Sequence, residues 1–194
     1  MCGSTYTPKD ECWQYRPPLN DWVKLSTMPE QGGNCGYAYS DVWGLVIAGA
    51  GGSETSVFRT ADGINFTSLA DLPVSGSYTC LVILDDTTLM AAGLGDNKDE
   101  VYVYHGGEED FWEEFPNLSV GRGGMACGVA RQGDNLVVVA AGGGRSEEDP
   151  PRSDVVEIFN LQEMQWHTGR QSKVLFNSSS VTPAQPTLMI EVPP

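Results

Sequence analysis

Three glycine-rich segments recur along the chain, each closing a short apolar run. They are Leu45-Val-Ile-Ala-Gly-Ala-Gly-Gly52, Leu89-Met-Ala-Ala-Gly-Leu-Gly-Asp96 and Val137-Val-Val-Ala-Ala-Gly-Gly-Gly144, at intervals of 44 and 48 residues. A large aromatic follows each, Phe66, Trp112 and Trp166, and Trp22 stands before the first, giving spacings of 44, 46 and 54. Two of these aromatics carry similar tails, Trp22-Val-Lys-Leu-Ser-Thr-Met-Pro29 and Phe66-Thr-Ser-Leu-Ala-Asp-Leu-Pro73. A period of this length marks a supersecondary unit repeated side by side, because one such unit cannot bury its apolar faces alone. Glycine at the end of each run lets the backbone turn tightly where a Cβ would clash.

Nowhere do apolar residues hold a 3.6-residue period over the roughly ten residues that a helix needs. Each unit is therefore read as four short strands, a to d, in an antiparallel meander. The first unit gives 35–39, 45–50, 56–60 and 65–69, with a hairpin turn at Ala61-Asp-Gly63. The second gives 78–84, 88–92, 100–105 and 111–115, and the third gives 125–130, 136–141, 155–160 and 164–167. Ahead of them, 11–15 and 22–25 read as strands c and d alone; behind them, 178–181 and 187–192 read as strands a and b alone.

Composition narrows what such a chain can do. Gly (23) and Pro (12) make up 35 of 194 residues, which suits a turn-rich β protein, and 40% hydrophobic content supports one sizeable core. Eleven basic residues against 26 acidic ones leave a net charge of −15, so nucleic-acid phosphates would be repelled. No apolar run reaches the roughly 18–20 residues of a membrane span. The start, Met1-Cys-Gly-Ser-Thr5, lacks the apolar core of a secretory leader, so the cytoplasm is the default compartment and an extracellular one requires a leader upstream.

The period, the glycine doublets and the spaced aromatics resemble kelch repeats of the β-propeller family, including those of galactose-oxidase-type propellers. The resemblance is clearest over Val155-Val-Glu-Ile-Phe-Asn-Leu-Gln-Glu-Met-Gln-Trp166 and over Trp13 to Trp22. Arg122-Gly-Gly-Met-Ala-Cys127 is similar to the arginine-led opening of a kelch unit, with Glu30 and Ser75 at the matching positions of the earlier units. The resemblance implies one all-β propeller domain over 1–194: a half-blade at 1–28, blades at 29–73, 74–119 and 120–170, and a half-blade at 171–194. The complementary halves are expected to join as a composite fourth blade, or else to leave an arc of a larger ring. Kelch rings more often have five to seven blades, and Glu191-Val-Pro-Pro194 lacks the expected doublet, which makes the chain a possible fragment.

Each candidate site residue also has a plainer role. Cys35, Cys80 and Cys127 stand 45 and 47 apart, which reads as one position on three inner strands. They are expected to be buried and unbonded to one another, since equivalent points on separate blades should exceed the roughly 7 Å Cα limit of a disulfide. Cys2 and Cys12 could pair if the protein is extracellular. No cysteine or histidine spacing supports a metal site. The copper-radical oxidases that share the kelch architecture use axial histidines, whereas His105 and His167 fall on outer positions of different blades. No nucleophile elbow, phosphate loop or HExxH motif occurs, so no catalytic residue and no cofactor is assigned. Thr60-Ala-Asp-Gly-Ile-Asn-Phe66 resembles an Asp-box hairpin one residue short, a structural motif.

The b–c and d–a loops of a meander share one face. That face carries Arg122, Arg145, Arg152, Arg170 and Lys173, of which the arginines are the candidate binding set because they can clamp carboxylates bidentately. Trp43 is expected to pack between blades. Asn65, Asn117 and Asn177 each begin an N-glycosylation sequon, relevant if the chain is secreted. The reading is a monomeric, noncatalytic module that recognises a protein or peptide on this face. The alternatives are a carbohydrate-active or isomerase/lyase-type enzyme on a kelch propeller, and an extracellular adhesion or recognition domain.

Overall fold

A computed structural model of the chain describes residues 2–3, 9–108, 110–133, 135–144 and 153–169. Their secondary structure is strands plus one 3-10 turn, Pro17–Leu19. Three four-stranded sheets follow in chain order. The first holds β3 (Gly36–Ser40), β4 (Gly44–Ala50), β5 (Ser56–Thr60) and β6 (Thr67–Ser68). The second holds β7 (Cys80–Ile83), β8 (Thr88–Leu94), β9 (Glu100–His105) and β10 (Phe111–Phe115). The third holds β11 (Ala126–Gln132), β12 (Asn135–Ala141), β13 (Val156–Asn160) and β14 (Gln165–Thr168). Each is an antiparallel meander whose spatial order follows the chain. Ahead of them β1 (Lys9–Arg16) and β2 (Asp21–Gly32) form a two-stranded hairpin. The expected units are present, and the expected terminal strands at 178–181 and 187–192 lie outside the described residues.

The second strand of each sheet shows why these apolar runs are continuous rather than alternating. Val46 and Ala48 face the second sheet, and Ile47 and Ala50 face the hairpin. Likewise Leu89 and Ala91 pack toward the first sheet while Met90 and Ala92 pack toward the third. A strand buried on both faces needs apolar residues at every position. The sheets thus stack face to face through three apolar layers, in a propeller-like arrangement. Their first strands lie side by side, β3 with β7 and β7 with β11, so the first strand of each sheet is the innermost one.

The repeating aromatic is a joint between sheets. Trp112 Nε1 donates to Ala70 O at 2.8 Å, and Trp166 Nε1 donates to Pro116 O at 2.8 Å. Each acceptor stands four residues beyond the preceding unit's own aromatic, Phe66 and Trp112 respectively. Phe66 has no N–H to offer, and there Ser26 Oγ reaches forward to Gly63 O instead, at 2.6 Å. Trp43 packs as expected: it is buried, donates to Asp85 O at 2.9 Å and lies edge-on to Tyr104.

Two cysteine expectations need correction. Cys80 and Cys127 are disulfide-bonded, with Cα atoms 5.9 Å apart, and only Cys35 is a free thiol. Adjacent innermost strands come closer than separate blades were expected to, and the three cysteines do not share one position. Cys80 lies opposite Ala92, on the face turned to the third sheet; Cys127 lies opposite Ala140, on the face turned back to the second. A one-residue shift in register reverses the face of a strand side chain, so the two sulfurs meet across the joint. Cys35 and Cys80 are buried, while Cys127 is half-buried. Cys2 pairs with Cys12.

Candidate functional site

The innermost strands begin at the face of the b–c and d–a loops. Two residues ahead of each stands a residue with left-handed backbone: Asn34 (φ 58°), Tyr78 (φ 60°) and Gly124 (φ 65°). They are 44 and 46 residues apart and are linked across the sheets by main-chain bonds. Tyr78 N–H donates to Asn34 O at 2.7 Å, and Gly124 N–H donates to Tyr78 O at 2.9 Å. Asparagine and glycine tolerate this conformation, but a bulky residue there costs about 1–2 kcal/mol. The strain persists because both main-chain groups of Tyr78 are tied to its neighbours. The residue is 52% exposed, and its Cβ lies over Gly123. A rigidly held, solvent-facing tyrosine thus sits where three sheets converge.

Beneath this rim lies a buried ion pair. Arg122 and Glu157 are both 0% exposed and are joined through Arg122 Nη1 and Glu157 Oε2. The guanidinium also donates to Gly142 O (2.9 Å), Val120 O (2.7 Å) and Ala140 O (3.2 Å). The other carboxylate oxygen accepts from Ser119 N–H (2.8 Å) and Ser119 Oγ–H (2.5 Å). Burial pushes the Glu157 carboxyl up, but the hydrogen bonds from Ser119 and Arg122 outweigh it and hold the group below its ordinary value. Each guanidinium nitrogen is bonded within the fold and none of the side chain reaches solvent, so Arg122 is removed from the candidate binding set. Arg145, Arg152 and Arg170, with Lys173 and Asn177, lie outside the described residues.

The remaining candidates take structural or surface places. His105 pairs with Glu113 at 2.9 Å and His167 with Glu163 at 2.7 Å, on separate sheets. Asp62 accepts from the N–H groups of Asn65 and Ile64 at 2.8 Å each, which holds its carboxyl well below the usual range and closes the turn of the Asp-box-like hairpin. Asn65 is drawn into this turn, so β6 is shorter than expected. Among the described residues, no three His, Cys, Asp or Glu side chains converge as a metal site would require. Cys35 is buried beside Tyr37, whose hydroxyl donates to Cys2 O at 2.9 Å; burial raises the Cys35 thiol above its ordinary value.

Comparison with family models and with curated proteins finds no match. No helix of the described residues is long and apolar enough to cross a membrane. Tyr78 is the residue of this rim that sequence reasoning passed over. Its signal was present: it occupies the period of Asn34 and Gly124, two residue types suited to left-handed backbone.

Proposed function

We propose that this chain is a kelch-type β-propeller whose terminal halves complete a fourth blade, and that it works as a monomeric, noncatalytic module recognising a protein or peptide. The partner is received on the b–c/d–a face, around Tyr78. The observation that carries this reading is an exposed tyrosine held in strained backbone at the meeting point of three sheets. Tyrosine supplies amphipathic contact area at low conformational cost and is enriched among the residues that dominate interfaces. Fixing its backbone in advance reduces the ordering cost of association.

The test begins by selecting peptides from a displayed random library on the immobilised chain. The selected peptides are then measured against Tyr78→Gly, which removes the ring while accepting the positive φ. The expected result is a loss of more than tenfold in affinity with an unchanged far-UV spectrum. Tyr39→Ser, an exposed tyrosine near the opposite loops, serves as the control and should bind normally. Peptides that bind Tyr78→Gly as well as the parent protein would remove this face from the proposal.

A further inference from the structure

Three observations converge on a covalent modification. The described residues hold two disulfides, Cys2–Cys12 and Cys80–Cys127, and disulfides of this structural kind form and persist in oxidising compartments. Two N-glycosylation sequons fall within the described residues, Asn65-Phe-Thr67 and Asn117-Leu-Ser119. The fold treats their acceptor amides differently. Asn65 Nδ2 donates to Asp62 Oδ2 at 2.7 Å within a tight turn. Asn117 is exposed, and its side chain makes no hydrogen bond among the described residues.

The backbone on either side of Asn117 is fixed. Pro116 O accepts from Trp166, Leu118 N–H donates to Asp99 O at 2.9 Å, and Ser119 is bonded to Glu157. Asn117 follows β10, the outermost strand of its sheet and the one farthest in sheet order from β7, just ahead of which stands Tyr78.

We propose that the protein matures in an oxidising, glycosylating compartment and carries an N-linked glycan on Asn117. In that step the Asn117 amide nitrogen forms a bond to the anomeric carbon of a lipid-pyrophosphate-linked oligosaccharide. The carbon–oxygen bond to the pyrophosphate breaks, the lipid pyrophosphate leaves, and the amide gives up one proton. Transfer to the unfolded chain finds the Ser119 hydroxyl free; folding then commits that hydroxyl to Glu157.

The proposal is independent of what the protein binds, and its test is chemical. The native protein, captured from its own cells with an antibody, is treated with peptide-N-glycosidase F in ¹⁸O-labelled water and mapped by mass spectrometry without reduction. The expected result is conversion of Asn117 to labelled aspartate, together with a peptide joining Cys80 to Cys127. Unmodified asparagine at 117 in protein with that disulfide intact would overturn the glycan, and free thiols at 80 and 127 would overturn the compartment. Two variants of the full chain, secreted from animal cells, separate modification from folding. Asn117→Gln and Ser119→Ala should both lose one glycan, but only Ser119→Ala should lower the melting temperature. Secretion of a parent chain that bears no glycan at 117 would also contradict the proposal.

Discussion

The joint between the second and third sheets and the joint between the hairpin and the first sheet are built on the same repeated plan with different chemistry. At the former, the Cys80–Cys127 disulfide crosses between innermost strands, Arg122 and Glu157 pair in full burial, and Trp166 ties strand β14 to the preceding unit. At the latter, the positions of the ion pair hold Glu30 and Ser56, joined by one hydrogen bond of 3.2 Å. There Cys35 stays a thiol, and Phe66 replaces the tryptophan. The disulfide at that end, Cys2–Cys12, closes the N-terminal segment on itself and does not reach the first sheet. Equal spacing therefore does not mean equal strength. The last two sheets are locked to each other, while the hairpin is held by apolar packing and single hydrogen bonds, with no ion pair or disulfide to the first sheet among the described residues.

The largest effect that can break this comparison is loss of the buried pair. Glu157→Gln should destabilise the protein by about 3–5 kcal/mol in urea unfolding, because Arg122 is left buried without a counter-charge. Glu30→Gln at the weaker joint should change stability by no more than about 1 kcal/mol. Equal losses would erase the distinction. Acid should act on the same pair. The folded carboxyl lies below the ordinary glutamate value of 4.5, so its contribution is complete above that value and is lost as the pH falls through the lower folded value.

Next in size is the disulfide. Closing the loop from Cys80 to Cys127, a separation of 47 residues, restricts the unfolded chain by about 4 kcal/mol in the chain-entropy description. Replacing both cysteines with alanine should lower stability by roughly 2–4 kcal/mol, and replacing Cys35 should cost less. A double variant as stable as the parent would show that the second joint does not depend on its covalent link.

Smaller still, Trp166→Phe should cost about 1 kcal/mol by removing the donor to Pro116 O. The smallest expected change is Tyr78→Gly. Relief of the left-handed strain and the added freedom of glycine in the unfolded chain nearly cancel, at about 1 kcal/mol each. A large loss there would mean that the ring packs into the fold rather than serving a partner.

The sheets were legible because glycine doublets and aromatics repeat at every unit, and a period needs no knowledge of side-chain direction. The joints were less legible because they depend on parity. Cys80 and Cys127 are 47 apart, and nothing in that number reveals that one faces forward and the other back; the bulge between Ala92 and Leu94 is a backbone event. Arg122 was visible as a charge, but its partner Glu157 stands 35 residues on, on the far side of two strands. A surface role and a buried role for an arginine look identical in sequence until the partner is placed. Tyr78 was missed because Asn34 and Gly124 advertise left-handed backbone by residue type, whereas a tyrosine at the same period does not.

Hydrogen exchange of the intact, disulfide-bonded protein, resolved by peptide mass spectrometry, tests most directly whether the joints differ in strength. The account predicts that amides of β8, β9, β12 and β13 exchange slowly and as one unit, and that β1 and β2 exchange first, at lower opening free energy. Protection of β1 and β2 equal to that of β12, or opening of the third sheet before the hairpin, would contradict it.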